Sequence, residues 1–187
     1  MGQEDLKPYR ARVVAAASGR VLEIGIGSGF NTPLYGAKVS EVIGIDPSRQ
    51  LLAIARRKPR PEIPIEFLGA SAEAIPFDDS SFDAVVTTWT LCTIPDVARA
   101  LGEMRRVLKA GGVLLFAEHG RAPEPGVRWW QDHLTPLWKR IGGGCHLNRS
   151  ISDLIAAAGF RIERLENSYV RGPRPLGYMY EGSARPL

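Results

Sequence analysis

The sequence predicts an α/β protein built on a doubly wound, mostly parallel sheet with helices on both faces. Three observations predict it. Short runs rich in Val and Ile alternate with amphipathic stretches, the first run ends in alternating glycines, and the C-terminal segment reads as two strands in succession. A chain of 187 residues is long enough for one substantial core, and a single domain spanning 1–187 is expected.

The elements follow in order. The run "RVLEIGI" (Arg20 to Ile26) is a buried strand and "EVIGID" (Glu41 to Asp46) a second. Ser48 caps the helical "SRQLLAIARRK", which carries Leu51, Leu52, Ile54 and Ala55 on one face. "PIEFLGA" is a third strand and "FDAVVTTW" a fourth. "DVARALGEMRRVLKA" is the clearest amphipathic helix. Asp96 caps it, Val97, Leu101, Met104 and Leu108 line its inner face, and Gly111-Gly112 is expected to stop it. "GVLLFAEH" is a fifth strand. Strand and helix repeated in this way call for right-handed crossovers and a parallel sheet. The rhythm then changes to a Trp-rich helix from Gly126 to Arg140, a "GGGC" loop and a helix from about Ser150 to Ala158. "FRIERLEN" and "LGYMYEGSA", joined by "SYVRGPRP", complete seven strands as an antiparallel hairpin at the sheet edge. About nineteen residues precede the first strand, which is short for a segment that covers a ligand.

Composition narrows the function. Hydrophobic residues at 44% and charged residues at 24% describe an ordinary globular protein. A net charge of +4 and a pI near 9.3 suit an anionic partner. The Lys and Arg are scattered, however, with "RRK" (Arg56 to Lys58) the densest run, so no nucleic-acid partner is expected. Cys92 and Cys145 are too few and too loosely spaced for a disulfide framework or a zinc motif, and no metal is expected. No apolar stretch approaches the roughly 18 residues of a membrane span, and "MGQEDLKPYR" lacks a signal-peptide core. Its Met-Gly start has no Ser or Thr at position six, so no myristoylation is expected. The expectation is a cytoplasmic protein with reduced thiols that acts on a small molecule; the oligomeric state stays open.

The glycines of "VLEIGIGSGFN" point to the ligand. In a doubly wound sheet, ligands lie at the carboxyl ends of the strands, where the first strand meets these glycines. A dinucleotide fingerprint needs a third glycine at position 30, which is Phe30, and this argues against a nicotinamide cofactor. Asp46 ends the second strand, where a carboxylate accepts from both ribose hydroxyls and disfavours a 2′-phosphate. Ser71-Ala72-Glu73, after the third strand, offers polar groups to an adenine edge. Three strand ends thus address one adenosine, and the glycines leave room for an amino-acid tail rather than a pyrophosphate.

The segments "VLEIGIGSGFN", "GIDPS", "ASAEAIPFDDSSFDAVVTTWTL" and "EMRRVLKAGGVLLFAEHG", covering roughly residues 20 to 120, resemble the class I S-adenosylmethionine-dependent methyltransferases. The resemblance implies a Rossmann-like fold and S-adenosylmethionine as cofactor. It places Glu23, Gly25, Gly27 and Gly29 in the cofactor loop, Asp46 at the ribose, Ser71 and Ala72 beside adenine and Thr88 at the methionine portion, with Asn31, Pro47 and Glu73 as further cofactor-binding residues. Ala110 departs from the family's usual Pro before Gly-Gly, at a helix end remote from the site. "WWQDHLTPLWKRIGGGCHLNR", "AGF", "GPRPLGYMYEGSA", "TLCTI" and "EHG" are similar to the alkyl-thiol S-methyltransferases, while the N-terminal half equally resembles quinone-ring C-methyltransferases. Membrane-bound members of the thiol group carry an N-terminal hydrophobic anchor, a feature this N-terminus does not show.

The expected reaction is therefore methyl transfer to a small, fairly hydrophobic acceptor, first a thiol. The alternatives are C- or O-methylation of a quinone or phenol, and an adenosyl-binding protein without catalysis. His119, ending the fifth strand, is the candidate base, with ordering of the strand end as its other role. Trp129, Trp130, Leu134, Leu137 and Trp138 form a stripe read as a lid over about 124–150, with core packing as the alternative. Trp89, Trp130, His133 and Trp138 are the candidate acceptor contacts. Cys92 reads as a small buried residue, His146 beside Cys145 has no further ligand spacing, and Lys139, Arg140 and Arg149 read as solvated flanks.

Overall fold

The strands β1 (Gly19–Ile24), β2 (Val39–Ile45), β3 (Ile65–Leu68), β4 (Phe82–Thr88), β5 (Leu108–His119), β6 (Phe160–Tyr169) and β7 (Tyr178–Pro186) form one sheet in the order β3-β2-β1-β4-β5-β7-β6. This is seen in a computed structural model that describes residues 3–58 and 62–187; the Met1-Gly2 start read above lies outside them. β1 to β5 pair in parallel, and β7 runs antiparallel to both β5 and β6. The sheet is the expected α/β, Rossmann-like one. Its order reverses between β1 and β4, which opens a crevice at their carboxyl ends.

Both faces are covered, and successive residues of one strand divide between them. Leu22 and Ile24 of β1 pack in one apolar layer with Leu101 and Met104 of α3 (Val97–Val107) and Ile155 of α5 (Ile151–Ala157). Val21 packs in the other layer with Val13 and Val14 of α1 (Gln3–Ala15). Burying each such Leu or Met side chain stabilises the fold by roughly 1.5–3 kcal/mol, so α3 is held mainly by its inner face. The exposed edge strand β6 carries Arg161, Glu163, Arg164 and Glu166, charges that discourage pairing with another sheet. Among the described residues, no helix is long and apolar enough to cross a membrane.

Three details differ from the sequence expectation. The helix α3 ends at Val107, and Gly111-Gly112 lies inside β5 instead of stopping the helix. Leu108 already pairs with Phe82 and Val113 with Ala84, so the residues between them form a bulge that Gly111 turns with a φ of 79°. In α2 (Arg49–Ala55) the buried face is Leu52 and Ala55, while Leu51 and Ile54 are exposed. The helix α1 carries no clear sequence signal, because Pro8 sits within it and only Leu6, Val13 and Val14 supply buried apolar contacts. It is fastened from outside its own sequence: Arg12 makes a bidentate ion pair with buried Glu181 of β7.

Candidate active site

The chain leaves β1 through Gly25, Gly27 and Gly29, all with positive φ. Two of these have different reasons to lack a side chain. A Cβ on Gly25 would lie 2.4 Å from the Thr90 side chain, so the bend can sit against the turn after β4 only as glycine. A Cβ on Gly27 would meet nothing closer than 3.8 Å, and this residue faces open space beside Asp46. Asp46, at the end of β2, accepts from the Gly27 N–H at 3.0 Å through Oδ2 and from the Ser48 N–H at 2.8 Å through Oδ1. One carboxylate therefore fixes the glycine bend and the entry to α2, with lone pairs left for a ligand.

A cavity of about 430 Å³ lies there, lined by Gly25, Gly27, Asp46, Pro47, Ser71, Ala72 and Glu73, with Trp89 at its inner wall. Seven of the expected cofactor residues are thereby brought together. Glu73 is also engaged away from the cavity, accepting the Asp96 N–H at 2.7 Å at the start of α3. Glu23, Gly29, Asn31 and Thr88 do not line it. Asn31 donates to Glu23 and to Thr88, each at 3.0 Å, Tyr35 donates to Glu23 at 2.7 Å, and Arg10 of α1 reaches Asn31 and Thr88. This buried network braces the loop from behind. Arg10 and Tyr35 were missed from sequence, since neither belongs to a recognisable spacing.

Glu23 itself is a pH-sensitive element. Burial pushes its carboxyl from an ordinary 4.5 up to about 7, against the opposing pull of Tyr35, Asn31 and Arg10. A raised folded-state value makes this contribution to stability complete below about pH 4.5 and progressively lost as pH rises through about 7, a difference of about 3 kcal/mol. Urea unfolding at pH 5 and pH 8 is expected to show wild type losing stability toward pH 8, with a shallower loss in Glu23→Gln. Parallel pH profiles for the two proteins would contradict this.

Trp89 separates the first cavity from a second. It follows β4 with a φ of 53°, a conformation rare for a bulky residue, and its N–H is fixed to the Ala117 carbonyl at 2.9 Å. Glu118, buried on β5, holds the same corner through the Thr90 and Leu91 N–H groups and the Thr87 hydroxyl. The second cavity, of about 220 Å³, is mostly apolar and lined by Trp89, Cys92, Thr93, His119, Trp138, Cys145 and Leu147. His119 ends β5, and the Cys145 sulfur lies 3.6 Å from its Nδ1. Trp89, Trp138 and His119 thus share one cavity.

Trp130 and His133 do not join them. Both lie on the exposed side of α4 (Pro125–Ile141), where His133 stacks on Trp129 at 4.0 Å and bonds its carbonyl. The sequence stripe misled because the side of α4 packed inward carries polar Gln131 and Thr135; Gln131 binds the Gly120 and Pro175 carbonyls and the Ala122 N–H. Arg149 is not a solvated flank either, for its guanidinium gathers the Ile94 and Pro95 carbonyls.

A strand-order reversal, a glycine bend and an acid on the adjacent strand end define a nucleotide-binding α/β protein of the Rossmann-like class. The family described as "Methyltransferase domain" matches residues 22–116. The chain belongs to the class I S-adenosylmethionine-dependent methyltransferases, and S-adenosylmethionine is its cofactor. The human "Thiol S-methyltransferase TMT1B" is 35% identical over 180 residues, 90% of this chain and 70% of that protein. A "Demethylmenaquinone methyltransferase" of Clavibacter sepedonicus is 36% identical over 118 residues, 63% of this chain and 48% of that protein. The chain thus spans from about half to 70% of the length of these relatives. Among solved structures, the YcgJ protein of Bacillus subtilis superposes with a TM-score of 0.70 at 24% identity, covering 90% of this chain and 74% of its own.

The site suits this cofactor on its own chemistry. Buried Trp89 Nε1 has no hydrogen-bond partner among the described residues, which leaves a donor at a cleft that also presents the Asp46 carboxylate.

Proposed function

We propose that the chain transfers a methyl group from S-adenosylmethionine to a small thiol seated between Trp89, Trp138 and His119. The observation that carries this is the second cavity: small, mostly apolar, and sharing the Trp89 wall with the cofactor cavity. Asp46 would accept from the ribose hydroxyls, the Ser71-Ala72 corner would meet adenine, and Arg10 would hold the amino-acid carboxylate. The bound cofactor supplies an electrophilic methyl group on a sulfonium. The protein then has to align the acceptor in line with that methyl and exclude water, which the two-cavity arrangement and the cover by α4 and the "GGGC" loop serve. His119 would receive the acceptor's proton.

The name of the human relative supports a thiol, and a cavity of about 220 Å³ favours a compact acceptor over a fused ring with a long tail. The bacterial relative's name favours the second reading, a quinol ring carbon. Labelled cofactor and a mixed panel of alkyl thiols, phenols and quinols decide between them: a labelled methyl thioether is expected, and labelling of quinols alone would reject the thiol. A His119→Ala substitution gives an independent check. A thiol assayed above its own pKa of about 8.5 needs no base, so the loss should stay under about tenfold. With a phenol or quinol the loss should reach about 10²- to 10⁴-fold.

A further inference from the structure

We propose that Cys92, His119 and Cys145 form a three-ligand site for a thiophilic divalent cation, zinc first, whose open fourth position receives the acceptor sulfur. This rests on the thiol reading above and gives His119 a ligand's role in place of a base's. The ligand atoms of all three residues lie within 4.8 Å of one another, and they are contributed by the turn after β4, the end of β5 and the loop after α4. A tetrahedral zinc with bonds of about 2.3 Å to sulfur and about 2.1 Å to nitrogen holds such a pair of atoms about 3.6 Å apart. Cys145 Sγ is 3.6 Å from His119 Nδ1 and 3.9 Å from Nε2, so either ring nitrogen suits the spacing.

Charge and burial agree with a metal. Two thiolates and a neutral imidazole balance a divalent cation, so the filled site carries no net charge into a region where Cys92 is 2% and His119 3% exposed. Arg149, fixed on the Ile94 and Pro95 carbonyls, acts electrostatically on both cysteines and would offset the charge of a fourth, thiolate ligand. The coordination is also incomplete in an informative way. Structural zinc sites are closed by four protein ligands, whereas catalytic ones keep a position open. His146 is the neighbour that would close this one, and its Nδ1 instead faces the Cys92 carbonyl at 3.1 Å. The open side belongs to the apolar cavity behind Trp89.

Coordination would deprotonate the incoming thiol, its proton leaving to solvent. The sulfur–methyl bond then forms as the methyl–sulfonium bond breaks, and that bond's electron pair stays on the departing sulfur. A neutral thioether, a poorer ligand, is released.

The test uses the full chain, reduced and kept anaerobic, titrated with Co²⁺ and followed by its absorption. A thiolate-to-cobalt charge-transfer band saturating at one ion per chain is expected, together with visible bands of tetrahedral intensity that change when 2-mercaptoethanol is added. Zn²⁺ should displace the cobalt. Cys92→Ser and Cys145→Ser should each weaken Zn²⁺ binding at least 100-fold while keeping adenosylhomocysteine binding by calorimetry, which shows them folded. Absence of the charge-transfer band in reduced wild type, or its persistence in the double serine variant, overturns the site. Thiol methylation by protein shown to be metal-free, as fast as by zinc-loaded protein below the thiol's own pKa, overturns the metal's role and leaves the thiol reading standing. A cobalt spectrum insensitive to thiols in a protein that methylates only quinols overturns both.

Discussion

An Asp46→Ala protein is expected to bind S-adenosylmethionine about 10²- to 10³-fold more weakly than wild type while remaining folded. The size follows from the number of bonds that one carboxylate supports. Hydrogen bonds to a charged group contribute roughly 1.5–3 kcal/mol each, and two ribose hydroxyls would be lost together. A second loss comes from the protein itself, because Asp46 also holds the Gly27 and Ser48 N–H groups, so its removal releases the bend that shapes the cavity. Asp46→Asn keeps one acceptor for this bend and should fall between the two. Calorimetry with S-adenosylhomocysteine measures the effect without needing an acceptor. An affinity within threefold of wild type would show that the adenosine lies elsewhere.

The second large effect concerns stability. Glu118 is buried with no counter-charge in contact among the described residues, and its carboxylate accepts the Thr90 and Leu91 N–H groups and the Thr87 hydroxyl. Alanine would leave the two N–H groups buried without an acceptor, at roughly 1–3 kcal/mol each, and would add a small void. A total of about 4 kcal/mol corresponds to a fall of about 10 °C in Tm for a chain of this size. Glutamine tells a lost hydrogen bond from a lost charge. Its carbonyl can accept both N–H groups while its amide donates to the Thr87 hydroxyl, so Glu118→Gln should recover most of the stability. Equal destabilisation by Ala and Gln would show that the charge, and not the bonding pattern, holds the corner. Because that corner sets the left-handed Trp89, Glu118→Ala should also blur the wall between the two cavities.

Much of the framework was legible in the residues. Short Val- and Ile-rich runs, the capping Ser48 and Asp96, and the inner face of α3 are local signals, and local energetics enforced them. The half of the site around the first cavity was legible for a related reason. Its groups sit at strand ends, and strand order and parallel pairing bring consecutive strand ends side by side. The half around the second cavity was not. The apolar spacing of α4 placed Trp130 in the cleft, but the helix rotates to bury Gln131, whose amide satisfies otherwise unpaired backbone groups. Satisfying buried polar groups outweighed covering two indoles.

By itself, then, the sequence determined the α/β class, the order of its elements and the grouping of residues from Gly25 to Glu73 around one cavity, because each depends on neighbours close in the chain or on one repeated pairing rule. Only the tertiary structure decided that Arg10 braces the cofactor loop, that Trp89 divides the cleft, and that Cys92, His119 and Cys145 meet. Those three residues come from loops and a strand end distant in sequence, so their spacing carries no signal, and it is the loop after α4, tied by the His146 N–H to the Cys92 carbonyl, that brings Cys145 to the other two.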